Sequence, residues 1–133
     1  MPDPSDAYSA LTSPKFLSEC DLFYVQVDER QTSLTLGFEV SDFDIPEGGI
    51  GFEVLRKFRS DEGHNAMRFF ISFTDVLNFS VNGWENPGQK HIQMVEERGH
   101  FSVSAESPGS SLRFEASSFS IPHIHSYLAG QSF

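Results

Sequence analysis

Five histidines and one cysteine are the side chains of this chain best suited to chemistry. His123 and His125 form a His-x-His pair. That spacing serves a metal when both rings share one face of a strand, and fails on a helix, where the two positions lie about 200° apart. The surrounding residues predict a helix, so the pair reads as one exposed ring and one ring at the edge of a buried stripe. His64, His91 and His100 have no Ser or Cys motif around them, and no G-x-S-x-G elbow occurs. Cys20 follows Phe16 and Leu17 in a segment expected to pack inward, where a thiol is inert. Glu96 and Glu97 are neighbours, and neighbours on a strand face opposite ways, so they do not serve one substrate as acid and base. Glu47-Gly48-Gly49-Ile50-Gly51 has the glycines of a phosphate loop without its Lys-Ser/Thr, and it is expected to precede a strand rather than a helix. These residues assign no catalytic group, no metal site and no cofactor; the expectation is a protein that is not an enzyme.

Composition narrows the classes further. Nine Lys and Arg stand against nineteen Asp and Glu, a net charge of −10, and the pI is near 4.7. Affinity for phosphate backbones and anionic lipid rests on Lys and Arg, so nucleic acid and membrane surfaces are not expected partners. The 133 residues suit one domain, 1–133, with residues 1–12, rich in Pro, Asp and Ser, loosely held. No apolar run reaches the ~18 residues of a membrane helix, the first residues lack the basic and apolar stretches of a secretory signal, and a lone cysteine permits no internal disulfide. A cytoplasmic location is the expectation.

The elements that must position any site are strands. Phenylalanine accounts for 14 residues, and apolar residues recur at every second position, the strand period. The runs are Phe23-Val25-Val27, Leu34 to Val40, Ile50-Phe52-Val54, Met67-Phe69-Ile71-Phe73, Leu77-Phe79-Val81, Ile92-Met94, Phe101-Val103-Ala105 and Leu112-Phe114-Ala116. Turn formers separate them: Asp28 to Gln31, Pro46 to Gly49, Ser60 to Asn65, Trp84 to Gln89, Arg98-Gly99 and Ser107 to Ser110. Short links favour antiparallel pairing. Ser13 and Pro14 predict a short N-terminal helix with Phe16 and Leu17 inward. Ser120, Pro122 and the spacing of Ile121, Ile124, His125 and Leu128 predict a C-terminal helix ending at Gly130. The expected class is therefore β-rich α+β: a curved antiparallel sheet of about eight strands, a short N-terminal helix, and a C-terminal helix packed on the sheet.

What remains for function is the exterior. Acidic residues gather in loops at Asp42, Asp44 and Glu47, at Asp61 and Glu62, and at Glu85 beside Trp84. Loops on a stiff sheet are where binding residues sit, and clustered negative charge speeds encounter with a basic partner. These six residues are the candidate partner-binding set. Phe70, Tyr24 and Leu55 fall opposite the main apolar stripes. Either the terminal helices cover them, or a Phe-rich curved sheet encloses a cavity and the protein is a binding module for a small apolar ligand.

The segment Asp75-Val76-Leu77-Asn78-Phe79-Ser80-Val81-Asn82-Gly83-Trp84 leads into two hairpin strands, then Leu112-Arg113-Phe114-Glu115-Ala116 and the closing Ile121, Ile124 and Tyr127. With Phe16-Leu17 and Leu34 to Val40 before it, this order resembles the small bacterial immunity proteins grouped as immunity protein 50, over roughly residues 15 to 130. The resemblance implies a non-enzymatic protein that binds and neutralises a cognate bacterial toxin domain, a basic one, by steric and electrostatic occlusion. It carries over no catalytic or contact residue.

Overall fold

The computed structural model describes residues 9–42, 45, 49–83 and 88–129. Helix α1, Pro14–Glu19, begins where Ser13 and Pro14 predict it. The Ser13 carbonyl accepts the Leu17 N–H at 2.9 Å, while its hydroxyl makes no cap. Phe16 and Leu17 are buried as expected. The strands follow as β1 Asp21–Asp28, β2 Ser33–Ser41, β3 Ala66–Thr74, β4 Leu77–Asn82, β5 Gly88–Gln89, β6 His91–Glu97, β7 His100–Ser107, β8 Ser110–Ala116 and β9 Ser118–Tyr127, with helix α2, Gly51–Phe58, between β2 and β3.

The single curved sheet of the sequence reading is in fact two antiparallel sheets. One has the order β5-β1-β2-β3-β9, the other β4-β8-β7-β6. The alternating Phe, Leu and Ile residues of both inner faces make one core. Phe69 stacks on Phe16 and Phe38 at 5.8 and 5.5 Å between ring centres, and Phe73 meets Phe114 of the second sheet edge-on at 4.9 Å. Two inner faces each need covering, and facing one another satisfies both. α1 closes one end, where its Ser18 hydroxyl accepts the Ile92 N–H at 3.0 Å.

The C-terminal helix is not present; Ser118–Tyr127 is β9, paired antiparallel to β3. A bulge explains the misleading spacing. Ser120 pairs Ser72 and His123 pairs Phe70, so Ile121 and Pro122 together face a single partner position. The extra residue puts Ile121 and Ile124 on one face at an interval of three, which imitates a helical stripe. Pro122, with no N–H to give, is tolerated because β9 is an edge strand.

Ile50, Phe52 and Val54 are not a strand either. Gly51, Val54, Leu55 and Phe58 turn inward from α2 at i, i+3, i+4 and i+7, and Phe52 is exposed. The backbone at the start of α2 binds an anion of the protein's own. Glu19, 8% exposed, accepts the Ile50 N–H at 3.0 Å and the Gly51 N–H at 2.9 Å through its two oxygens. A side chain at Gly49 would sit 2.5 Å from the Glu19 carboxylate, so glycine leaves the room that carboxylate occupies. The backbone arrangement that elsewhere cradles phosphate here caps a helix from a distant carboxylate.

Candidate binding surface

The outer face of the five-stranded sheet carries an aromatic patch built by two local backbone features. The register of β1 on β2 shifts between Leu22 and Tyr24, and this bulge turns Phe23 and Tyr24 both outward. Phe23 therefore does not share a face with Val25 and Val27, as simple alternation predicts. Opposite Tyr24 lies Gly37, and opposite Gly37 lies Phe70. A Cβ at position 37 would come within 2.8 Å of Tyr24 and 2.9 Å of Phe70, so the two rings close over the glycine. Tyr24 and Phe70 meet edge-on at 5.6 Å, and Phe23 meets Phe70 at 5.9 Å. The expected cover by two terminal helices is not there, the C-terminal one being β9: Phe23 and Tyr24 are each 39% exposed, while Leu55 is buried from α2.

Arg68 extends the patch along the sheet. Its guanidinium carbon lies 5.0 Å from the centre of the Phe23 ring and 5.7 Å from that of Tyr127, and Nη2 is 2.6 Å from the Glu39 carboxylate. Hydrogen bonding to Glu39 pushes the guanidinium pKa further up, opposed by burial. Burial first, then Glu39, pushes the Tyr127 phenol up to about 12. His123 and His125 pair with Phe70 and Arg68 across the β3–β9 ladder. Because β9 is a strand, these two rings share this outer face instead of diverging, and His125 stacks on Tyr127 at 5.9 Å. Groups of three or more His, Cys, Asp or Glu placed to hold a metal do not occur among the described residues.

At the end of the same sheet the candidate acidic residues separate. Asp42 and Glu62 line one pocket of about 300 Å³ with Phe52, His64, Arg56 and Arg59. Asp42 Oδ1 is buried without a hydrogen-bond partner. Two arginines beside two carboxylates make this pocket mixed in charge, where the sequence pointed to acid alone. Asp61 does not line it; its Oδ1 accepts the Gly63 N–H at 2.7 Å in an exposed turn. Asp44, Glu47 and Glu85, and Trp84 with them, lie outside the described residues. Asn65 ties the pocket to the aromatic face: its carbonyl accepts the Asp42 N–H at 2.9 Å and its N–H donates to Tyr127 at 3.2 Å.

Two histidines reach partners suited to catalysis. His64 Nδ1 is 2.8 Å from Ser126 Oγ, but that hydroxyl is buried and accepts the Ser60 N–H at 2.9 Å. The contact ties the 59–65 loop to β9 and leaves the hydroxyl out of a substrate's reach. His100 meets Glu115 at 3.0 Å on the open outer face of the four-stranded sheet. A concavity of about 450 Å³ there is lined by Asn78, Gln93, Ser104, Arg113 and Glu115 together with the apolar Val95, Val103 and Phe114. Cys20 is buried, donates to the Phe16 carbonyl at 3.3 Å, and has its pKa raised by burial. No helix among the described residues is long and apolar enough to cross a membrane.

Two packed antiparallel sheets with an aromatic outer face describe a class of protein that can bind through its exterior. The chain belongs to the immunity protein 50 family, whose sequence model matches residues 4–127. A crystal structure of an uncharacterized protein from Neisseria gonorrhoeae is similar at 12% identity and a TM-score of 0.48, covering 78% of this chain and 90% of that one. Curated proteins give no match.

Proposed function

We propose that this chain binds and neutralises a cognate toxin domain by covering it, without chemistry of its own, and that the outer face of the five-stranded sheet makes the contact. The observation that carries this reading is the pair of exposed rings, Phe23 and Tyr24, turned out by the β1 bulge and packed with Phe70 over Gly37 in a chain of this family. Aromatic residues and arginine dominate the energetics of protein interfaces, and rigid rings lose little entropy on binding. A net charge of −10 suits a basic partner, with Asp42, Asp44, Glu47, Asp61, Glu62 and Glu85 steering the approach. The protein acts inside the cell that makes the toxin.

The test is binding to an inactivated candidate toxin domain, sought first among the products of neighbouring genes. Tyr24→Ala with Phe70→Ala weakens the complex by about 30-fold or more, the scale of interface anchors, with the fold retained. Lys at both Asp61 and Glu62 slows association, and added salt slows it too. Absence of binding to that domain overturns the reading; wild-type affinity in the aromatic double variant removes this face from it; a rate indifferent to salt removes the electrostatic part.

A further inference from the structure

The pocket of about 300 Å³ at the end of the five-stranded sheet holds charges of both signs that do not neutralise one another. Helix α2 supplies one wall: Phe52, Leu55 and Arg56 stand at i, i+3 and i+4, and Arg59, the residue that caps the helix, follows at i+7. Asp42, just past β2, and Glu62 supply the carboxylates. The Asp42 N–H donates to the Asn65 carbonyl at 2.9 Å, which ties Asp42 to the loop that carries Glu62. No ion pair joins either arginine to either carboxylate; the ion pairs among the described residues are Arg68–Glu39, His100–Glu115 and Arg113–Glu106. Asp42 Oδ1 is buried without a hydrogen-bond partner. Such oxygens are rare in folded proteins because each costs its lost solvation, and a bound ion or ligand is one of the ways they are satisfied.

We infer that this pocket binds a free amino acid with an aromatic side chain. A zwitterion carries both signs on one carbon, and the pocket offers both signs unpaired. A guanidinium meets a carboxylate through a planar fork of two N–H groups. An ammonium brings three N–H donors, and Asp42 Oδ1 lacks one. A ligand of a single sign satisfies one set of side chains and is repelled by the other. Phe52, 50% exposed at the pocket, gives a ligand ring a face or edge to pack on. The volume is at the low end for small-ligand pockets, room for one residue and not for a peptide. This inference does not rest on the proposed function: it concerns a free small molecule and needs no toxin.

Equilibrium dialysis of the full chain at neutral pH against phenylalanine, 2-phenylethylamine and 3-phenylpropionate tests it. All three carry a phenyl ring; the second lacks the carboxylate and the third lacks the ammonium. Phenylalanine binds saturably with a dissociation constant of about 1 mM or tighter, and each analogue is weaker by about tenfold or more, the scale of one hydrogen bond to a charged group. Asp42→Asn weakens phenylalanine by about tenfold and leaves 3-phenylpropionate no weaker. Arg56→Gln with Arg59→Gln weakens phenylalanine by a similar factor and leaves 2-phenylethylamine no weaker. This crossed pattern separates recognition of charge from damage to the fold, which would weaken all three ligands alike. No saturable binding of phenylalanine up to about 10 mM, an analogue that binds as tightly, variants that leave phenylalanine unaffected, or variants that weaken all three ligands equally would each overturn the proposal.

Discussion

The carboxylate of Glu19 accepts the Gly51 N–H at 2.9 Å, joining the end of α1 to the first turn of α2 across 32 positions of sequence. Its second oxygen takes the Ile50 N–H, and the Gln89 side-chain amide donates to the Glu19 carbonyl at 3.1 Å. One buried acid thus fixes the start of the helix whose Phe52, Arg56 and neighbours wall the charged pocket. Truncation to alanine leaves two N–H groups without their acceptor in a site with little access to water. Glu19→Ala therefore lowers stability by about 2–3 kcal/mol, read as a lower urea midpoint at unchanged slope. Glu19→Gln retains one good acceptor and loses the charge, so it falls between. Wild-type stability in Glu19→Ala would show that the capping is incidental.

Gly37 sets the shape of the outer face. An added methyl group meets the Tyr24 Cβ at 2.8 Å and Phe70 Cε1 at 2.9 Å, and the Tyr24 Cβ, bound to backbone, has little freedom to yield. Gly37→Ala costs about 1–3 kcal/mol, the usual penalty of overpacking. Removing one neighbour in the Gly37→Ala, Phe70→Ala double variant recovers part of that loss, because the Tyr24 contact remains. Denaturant titration of the four proteins of this cycle gives the coupling; additive losses would mean that the glycine serves the strand and not the rings.

Much of this fold is legible in the residues, and most of the failures share one cause. Leu34 to Val40 and Met67 to Phe73 alternate strictly, and both are strands with those residues inward. Arg98 and Gly99 have φ of 53° and 78°, the left-handed pair that a tight hairpin between β6 and β7 requires. Bulges mislead period-two reading three times: one turns Phe23 outward, one makes β9 look helical, and one between Leu77 and Ser80 sets Leu77 opposite Glu115, off the face Val81 shares with Leu112. A bulge is decided by the partner strand, so neither Phe23 nor Ile121 announces it. The α2 stripe of Gly51, Val54, Leu55 and Phe58 was available in the sequence, but the alternation of Ile50, Phe52 and Val54 overlies it. The aromatic patch left one sign, Tyr24 and Phe70 opposite the main stripes; what was missing was Gly37 between them, a contact that only strand register supplies.

Tyr127 gives the sheet end a response to alkali. Its phenol is neutral when protonated, and burial together with the neighbouring Glu39 carboxylate raises its pKa to about 12 against an ordinary value of 10.0. A folded-state pKa above the unfolded one favours the fold while the proton is bound, so this contribution is complete below about pH 10 and disappears as pH climbs toward 12. Phenolate absorbance shows one tyrosine titrating late, and Tyr127→Phe abolishes that late step. Glu39→Gln moves it down but leaves it above the ordinary value, since burial is the larger cause. A single tyrosine transition near pH 10 in the wild type would contradict the placement of Tyr127 beside Glu39.

Glu115 responds at the other end of the scale. The Asn78 amide donates to its carboxylate, and His100 lies 3.0 Å from the other oxygen. Both hold the charged form, with Asn78 the larger cause, and the carboxyl pKa falls below its ordinary 4.5. With a lowered folded-state pKa the contribution is present above pH 4.5 and is lost as acid titrates the folded carboxyl. Asn78 sits at φ 55°, so alanine there would add backbone strain to the loss of the amide. Asn78→Gly removes the amide and tolerates the angle. Followed by the Glu115 side-chain carbon resonance, the titration midpoint rises toward 4.5 in Asn78→Gly, and by less in His100→Ala. A larger rise from the histidine change would make the imidazolium, not the amide, the group that holds this carboxylate.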